Sequence, residues 1–370
     1  MKKIFDYPTK AIIDLKAFCH NINIIRKKFP KSKIILPVKA NAYGHDDILI
    51  SKEAKRIKIE YLAVARINEG IKLRENGITL PIIDFGVEMG RNINAAIINN
   101  IQLSVSSLNN VKEIEEVAKK LNKKALLHLK VDTGMRRLGC NPEESEKLAL
   151  YINNSPYLFL EGLYSHFARS DDSLDETQKQ TNLFFKIKND ISKKNIIPNI
   201  YHLFNSGSIL NPPLINENLT LRPGIMSYGY SPINNKNDYN LKPVMTLVSK
   251  VINIKKVPKN SGVSYGHIFK TKKDTILATI PLGYGDGFPR ILSNKFMVTI
   301  NNKNFPQRGR ISMDLSVIEV DKKVKMGDKV IVFGNKKKCI NDANDLAILS
   351  NTISYEITTA LTERVERIIK

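Results

Sequence analysis

Short apolar runs alternate with amphipathic segments over the first two thirds of this 370-residue chain. Such alternation is typical of repeated βα units around a parallel sheet. Eight runs have the length of strands, at residues 34–38, 61–65, 81–85, 103–106, 125–131, 159–166, 200–204 and 219–221. Eight strands fit a closed (β/α)8 barrel better than an open sheet, and no GxGxxG phosphate loop follows the first strand. We therefore predict an α/β chain with an N-terminal TIM-like barrel.

The pattern changes near residue 243, where short strands become separated by turns rich in Gly, Asn and Lys. Candidate strands lie at 245–254, 276–280, 296–300, 316–320 and 329–333. Closely spaced short strands predict a C-terminal, mainly β domain. We expect a barrel domain at 1–243 and a β-rich domain at 244–370, with an early strand near residues 10–14 pairing with the second domain.

The chain is strongly basic, with 58 Lys and Arg against 36 acidic residues and a formal net charge of +22. This charge raises nucleic-acid binding as an alternative. The lysines are spread along the chain, however, and the runs at 2–3, 193–194 and 336–338 contain no aromatic residue. Stacking platforms need aromatic residues beside the charge, so we favour a solvated basic surface and predict no nucleic-acid partner.

The cysteines and the N-terminus indicate the compartment. Cys19, Cys140 and Cys339 lie far apart without a CxxC pair, which predicts neither a disulfide framework nor a metal site. No apolar h-region follows the basic start, and no apolar run approaches the roughly 18 residues of a membrane-spanning helix. We therefore expect an unexported, cytoplasmic protein without a membrane partner.

A lone lysine, Lys39, closes the apolar run at 34–38. Burial disfavours the ammonium form and lowers the pKa of an amine, which helps the amine to form a Schiff base with an aldehyde. The alternative is that the side chain merely extends from the strand end into water. The other strand ends distinguish these two interpretations.

Polar groups stand at the ends of four more predicted strands: Lys130, His166, Asn205 with Ser206, and Arg222. Catalytic groups of barrel enzymes project from these carboxyl ends, although a lone His can be structural and an Asn-Ser-Gly stretch can be a plain turn. Gly207 and Gly224 permit close backbone approach, so the last two loops can form a phosphate cradle. An imine-forming lysine beside a phosphate site predicts pyridoxal 5'-phosphate (PLP) as cofactor, held by Lys39.

The chain resembles the alanine racemase family, which are fold-type III PLP enzymes, over nearly its whole length. The matching segments are 38–45 (VKANAYGH), 130–139, 165–167, 205–206, 222–225 (RPGI), 264–266 (SYG), 280–287 (IPLGYGDG) and 313–314. Eight matches in one order leave little room for chance. The resemblance implies interconversion of L- and D-alanine by a homodimer with shared active sites, supplying D-alanine for peptidoglycan.

The resemblance also implies roles for individual residues. Lys39 is the base for one enantiomer and Tyr265, from the partner subunit's second domain, is the base for the other. Two acid/base groups on opposite sides of the cofactor are the simplest means of inverting Cα. Arg222 faces the pyridine nitrogen and, by keeping its own proton, weakens the electron sink. By the resemblance, the cofactor phosphate is contacted by Tyr43, Ser206, Gly224, Ile225 and Tyr355, with Asn205 beside them, and His166 lies next to Arg222. The substrate carboxylate is contacted by Arg137 and the partner's Met313. Lys130 is carbamylated.

The sequence departs from the family pattern at a few positions, none of which removes a group that the chemistry needs. They are Arg136 before Arg137, Asp46 and Asp47 after His45, Ser312 in place of a frequent cysteine, and Glu366 in place of a frequent proline.

Three rival interpretations are a PLP-dependent decarboxylase, a racemase of broader specificity, and a PLP-binding protein without the second domain. Arg222 argues against the first, and Tyr265 with the β-rich segment argues against the third.

Overall fold

The computed structural model describes residues 6–215, 217–233 and 239–370. The strands are β1 (Lys10–Ile13), β2 (Ile35–Pro37), β3 (Tyr61–Val64), β4 (Ile82–Asp84), β5 (Ile101–Val105), β6 (Ala125–Lys130), β7 (Leu158–Tyr164), β8 (Ile200–His202), β9 (Met245–Lys250), β10 (Asn253–Val257), β11 (Thr275–Ile280), β12 (Met297–Ile300), β13 (Lys303–Pro306), β14 (Ser316–Val320), β15 (Lys329–Phe333) and β16 (Glu366–Ile369). The helical segments are α1 (Leu15–Lys28), α2 (Lys39–Gly44), α3 (Asp47–Arg56), α4 (Ile67–Glu75), α5 (Arg91–Ile98), α6 (Leu108–Lys120), α7 (Ser145–Asn154), α8 (Leu174–Ser192), α9 (Ser206–Leu210), α10 (Ala343–Ser350) and α11 (Ser354–Thr359). Within the described ranges, no helix has the length and apolar character needed to cross a membrane.

Strands β2 to β8 form one parallel sheet in chain order, and segment 219–222 joins its two edges. Ile35 N donates to Leu221 O at 2.8 Å on one side, and Thr220 N donates to Tyr201 O at 2.8 Å on the other. The predicted barrel is thereby confirmed. The last predicted strand forms only isolated bridges. Pro223 follows this segment and, having no N–H, cannot extend a ladder.

Helices α1, α6 and α8 begin where a side chain caps the first turn. Asp14 Oδ1 accepts a hydrogen bond from Ala17 N, and Ser107 Oγ and Ser173 Oγ cap α6 and α8 in the same way. Each helix buries its apolar face, and the barrel strands are buried almost throughout. Parallel strands covered on both faces are expected to be continuous apolar runs, which is the pattern that the sequence carries.

The rest of the chain forms a six-stranded sheet of order β13-β12-β15-β9-β1-β16 and a three-stranded sheet of order β10-β11-β14. The early strand β1 lies between β9 and β16, antiparallel to the first and parallel to the second. The predicted single strand at 245–254 is wrong, because β9 and β10 belong to different sheets. The two strands are separated by Val251 and Ile252, whose backbone N–H groups donate to Asp328 O and Thr279 O.

Candidate active site

A cavity of about 540 Å³ opens at the carboxyl ends of the barrel strands. Ten of the predicted site residues line it: Lys39, Tyr43, Lys130, Arg137, His166, Asn205, Ser206, Arg222, Gly224 and Tyr355. They come from distant parts of the chain and meet because parallel barrel strands end at one rim. Ile225 is fully buried next to Gly224 and does not line the cavity.

Lys39 lies just after β2, at the start of a backbone turn of unusual hand. Residues 40–43 have φ angles between 51° and 55°, in the left-handed region. None of them is glycine, and L-residues in this conformation cost about 1–2 kcal/mol each. The turn places Lys39 and Tyr43 in the lining of the same cavity. Surrounding contacts must offset the conformational cost of the turn.

Positive charge dominates the cavity. Lys39, Lys130, Arg137 and Arg222 line it, with Asp171 as the one carboxylate among the described lining residues. Burial, and then the positive charge of Arg137, lower the pKa of the Lys39 amine, and Glu69 opposes this shift in part. Burial and the two arginines lower the pKa of Lys130 to about 8. The neutral form of Lys130 is therefore accessible near physiological pH, and the shift at Lys39 acts in the same direction, toward the form that attacks a carbonyl carbon.

Arg222 is held rigidly at the base of the cavity, where it is only 3% exposed. One terminal nitrogen donates to His202 Nδ1 at 2.9 Å, and the other donates to Ser165 O at 2.7 Å and Leu203 O at 3.0 Å. The latter nitrogen also lies 3.2 Å from His166 Nδ1. Burial lowers the pKa of the guanidinium to about 10, so the group stays charged at neutral pH.

A hydrogen-bonded chain continues from Arg222 into the barrel interior. His202 Nε2 lies 3.1 Å from His128 Nδ1, and His128 Nε2 lies 2.7 Å from Gln102 Oε1. Arginine has no acceptor, so His202 Nδ1 must accept and each next ring must donate onward from Nε2. Both imidazoles are therefore neutral, and burial lowers the pKa of His128 to about 3. Sequence reasoning missed these three residues because none of them stands at the carboxyl end of a predicted strand.

The loops after β8 and after segment 219–222 form a cradle of backbone donors. The N–H groups of Gly207, Gly224 and Ile225 have no acceptor among the described residues. A Cβ added to Gly224 would lie 2.8 Å from Tyr43 Oη, and one added to Gly207 would lie 2.6 Å from Ser170 Oγ. Glycine at these two positions therefore keeps the cradle open for an anionic group.

Side chains frame the cradle on both sides. Asn205 Oδ1 accepts from Ser170 Oγ at 2.7 Å and from Ser208 N at 3.1 Å, which fixes the start of α9. On the opposite side, the rings of Tyr43 and Tyr355 lie 5.9 Å apart. Tyr355 belongs to α11, so a helix near the C-terminus contributes to a barrel-mouth site.

Two predicted site residues lie elsewhere. Tyr265 is 71% exposed and Met313 is 53% exposed, and neither lines the cavity that contains Lys39. Ser264 Oγ donates to Arg310 O at 2.6 Å, and Met313 O accepts from Gly285 N at 2.8 Å, so both residues lie on ordered turns. One copy of the chain therefore presents these residues on its surface, away from its own cavity.

Comparison with known proteins identifies the family. Residues 13–232 match the family profile "Alanine racemase, N-terminal domain", and residues 244–369 match "Alanine racemase, C-terminal domain". The chain belongs to the alanine racemase family. An alanine racemase of Treponema denticola is 43% identical, over 97% of this chain and 97% of its own length. One of Methanococcus maripaludis is 39% identical, over 98% of each chain.

Solved alanine racemase structures have the same fold. The enzyme of Clostridium difficile 630 superposes with a TM-score of 0.93 at 37% identity, covering 99% of this chain and 96% of that one. The Bacillus anthracis enzyme with bound L-Ala-P gives a TM-score of 0.91 at 33% identity, with the same two coverages. The resemblance found in the sequence is confirmed, and the chain is an enzyme of this racemase family.

Proposed function

We propose that the chain is a PLP-dependent alanine racemase. The observation that carries this proposal is that Lys39, Arg222 and the backbone cradle at Gly207 and Gly224 line one cavity. When bound, PLP supplies an aldehyde for an amine and an electron-withdrawing ring that acidifies the Cα–H bond of an attached amino acid.

The charge of the cavity supports the fit of these ligands. With both amines protonated, its four cationic side chains exceed the one carboxylate among the described lining residues by three charges. A phosphate monoester carries nearly two negative charges at neutral pH, and the substrate carboxylate carries one. Lys39 would hold the aldehyde carbon and Arg222 the pyridine nitrogen. The phosphate would lie against Tyr43, Ser206, Gly224, Ile225 and Tyr355, with Asn205 beside it.

The chain's own residues divide the remaining work. The lowered pKa of Lys39 favours the neutral form of its Nζ, which can take up and return a proton. Arg137 would orient the substrate through its carboxylate. The neutral form of Lys130, whose pKa is about 8, can react with carbon dioxide, and the resulting carbamate would offer a carboxylate to Arg137.

We further propose that two copies of the chain share their active sites. Tyr265 would then be the second base and the Met313 N–H a substrate contact, each supplied to the partner's cavity. The exposure of both residues on ordered turns outside their own cavity supports this arrangement. His166, next to Arg222, would contact the incoming phenol.

A mixing experiment tests the shared site. Neither the Lys39→Ala nor the Tyr265→Phe homodimer should be active at the wild-type level. Refolding the two together should restore about a quarter of the wild-type rate, since half of the dimers are mixed and each contains one intact site. Absence of recovery, with mixed dimers present, would refute the shared site while leaving PLP binding untouched.

The remaining proposals concern substrate and setting. Alanine is the proposed substrate, and the product D-alanine would enter peptidoglycan synthesis in the cytoplasm. The boundary between the barrel and the second domain would lie near residue 243. Racemisation rates for alanine, serine, lysine and arginine test the assignment directly. Faster turnover of a basic amino acid would favour a racemase of broader specificity.

A further inference from the structure

The left-handed turn after Lys39 is contacted by the C-terminal end of the chain. Arg367, on β16, donates from Nε to Gly44 O at 3.0 Å. The same guanidinium donates to three carbonyls of its own loop, those of Leu361 at 2.6 Å, Val365 at 2.7 Å and Thr362. One side chain thus ties the loop at 361–365 to the turn that carries the cofactor lysine.

Packing at Gly44 supports the same connection. Gly44 has a φ of 85°, and a Cβ added there would lie 2.0 Å from Thr358 O in α11. The C-terminal helix therefore presses directly against the backbone of the turn. Tyr355 of the same helix also contacts the ring of Tyr43. The turn and the C-terminal segment form one packed unit.

His45 holds the turn from within. It is fully buried, and its Nδ1 lies 2.9 Å from Tyr43 O and 3.1 Å from Ala42 O. Carbonyl oxygens only accept, so Nδ1 must carry the proton and donate to them. The ring also stacks on Tyr228, at 4.6 Å between centroids. His45 thus satisfies carbonyls that the left-handed backbone directs away from ordinary helical partners.

We propose that Arg367 and His45 are positioning residues that hold the left-handed turn and so set the orientation of Lys39 and Tyr43 toward the cofactor. Four consecutive residues with positive φ need external contacts to persist. Among the described contacts to this turn, that of Arg367 comes from farthest along the chain, more than 300 residues away. The proposal rests on the proposed function, because it concerns the placement of the PLP-binding lysine.

Substitution at Arg367 tests the proposal. In Arg367→Ala, kcat for alanine should fall roughly 10- to 100-fold with a smaller change in KM, because a reacting group misplaced by about 1 Å loses this much rate. The pH midpoint of the visible absorbance of bound PLP should also shift. Low millimolar guanidinium should partly restore both properties. Guanidinium is a denaturant, so such rescue cannot come from general stabilisation of the fold.

Lys370→Ala is the matched control directly after the same strand, since Lys370 is exposed and pairs with Asp14 rather than with the turn. It should leave kcat and the absorbance midpoint unchanged and should show no guanidinium rescue.

For His45, the Asn variant keeps a donor at the Nδ1 position, whereas the Gln variant places its donor at the Nε2 position. His45→Asn should retain more activity than His45→Gln.

The outcomes separate this inference from the proposed function. A yellow, active wild type with Arg367→Ala equal to it in kcat and absorbance midpoint would overturn the positioning role alone. Loss of activity without an absorbance shift and without guanidinium rescue would also overturn it, in favour of a purely structural arginine. A wild type that binds no PLP would instead refute the proposed function.

Discussion

Acidification should destabilise the folded protein through three fully buried histidines. His45, His128 and His202 are each 0% exposed. Burial is the main cause that lowers the pKa of all three, to about 4 for His45 and about 3 for His128. In an unfolded chain the pKa of histidine is about 6.5. Each ring therefore takes up a proton on unfolding below that pH, and the free energy of unfolding decreases as the pH falls.

One buried carboxyl acts in the opposite direction. Burial, opposed by a hydrogen bond from Gly86 N and assisted by the neighbouring Glu88, raises the pKa of Asp84 to about 7. Near pH 5 the folded protein thus keeps one proton that an unfolded aspartate, with a pKa of about 3.9, releases. Together the three histidines and Asp84 contribute an uptake of about two protons on unfolding. At about 1.4 kcal/mol per proton and pH unit, the contribution of these four groups to the free energy of unfolding should fall by about 4 kcal/mol between pH 6 and pH 4.5.

Proton uptake on urea unfolding at pH 5.5, followed with an indicator dye in weakly buffered solution, measures the contribution of each group when the wild type is compared with a variant that lacks it. Relative to the wild type, His128→Gln should take up about one proton fewer and Asp84→Asn about one more. All proteins are compared at equal cofactor content, so any protons that the cofactor takes up or loses on its release cancel in the comparison. An uptake that is the same in wild type and His128→Gln would refute the conclusion that burial keeps this ring neutral.

Three further predictions concern the cavity. Borohydride should bleach the visible absorbance of the protein and fix the cofactor on Lys39, and a Lys39→Ala protein should show no such attachment by peptide mass mapping. Tyr265→Phe should lower α-proton exchange by roughly 10²- to 10⁴-fold with L-alanine and by less with D-alanine, and equal losses would argue against two bases. With ¹³C-labelled bicarbonate, Lys130 should give a carbamate carbon resonance that Lys130→Ala lacks, and its absence at pH 8 would show that this amine stays unmodified.

The barrel could be predicted from the sequence because its strands are buried on both faces and appear as uninterrupted apolar runs. The second domain was harder to predict. Val251 and Ile252 continue the apolar pattern across the break between β9 and β10, so only the tertiary pairing reveals that break. Strand β16 was missed because it is short and half polar, and its place in the sheet depends on pairing with β1.

The site was predictable where its residues stand at strand ends, as Lys39, His166 and Arg222 do. The left-handed turn was not predictable, because residues 40–43 are types that ordinarily prefer the right-handed region. Its conformation depends on contacts with Glu69 and Arg367, which lie far away in the sequence. Local propensity carries no information about such contacts.

The chain of rings below Arg222 also constrains where protons can move during turnover. It ends at Gln102, whose amide accepts a hydrogen bond from His128 but cannot take its proton. A carboxylate at that position would stabilise a charged imidazole and could draw a proton along the chain. With an amide there, both rings stay neutral and Arg222 stays charged. Proton transfer is then confined to the mouth of the cavity, where we propose that Lys39 and the phenol of the partner subunit act on opposite faces of the substrate.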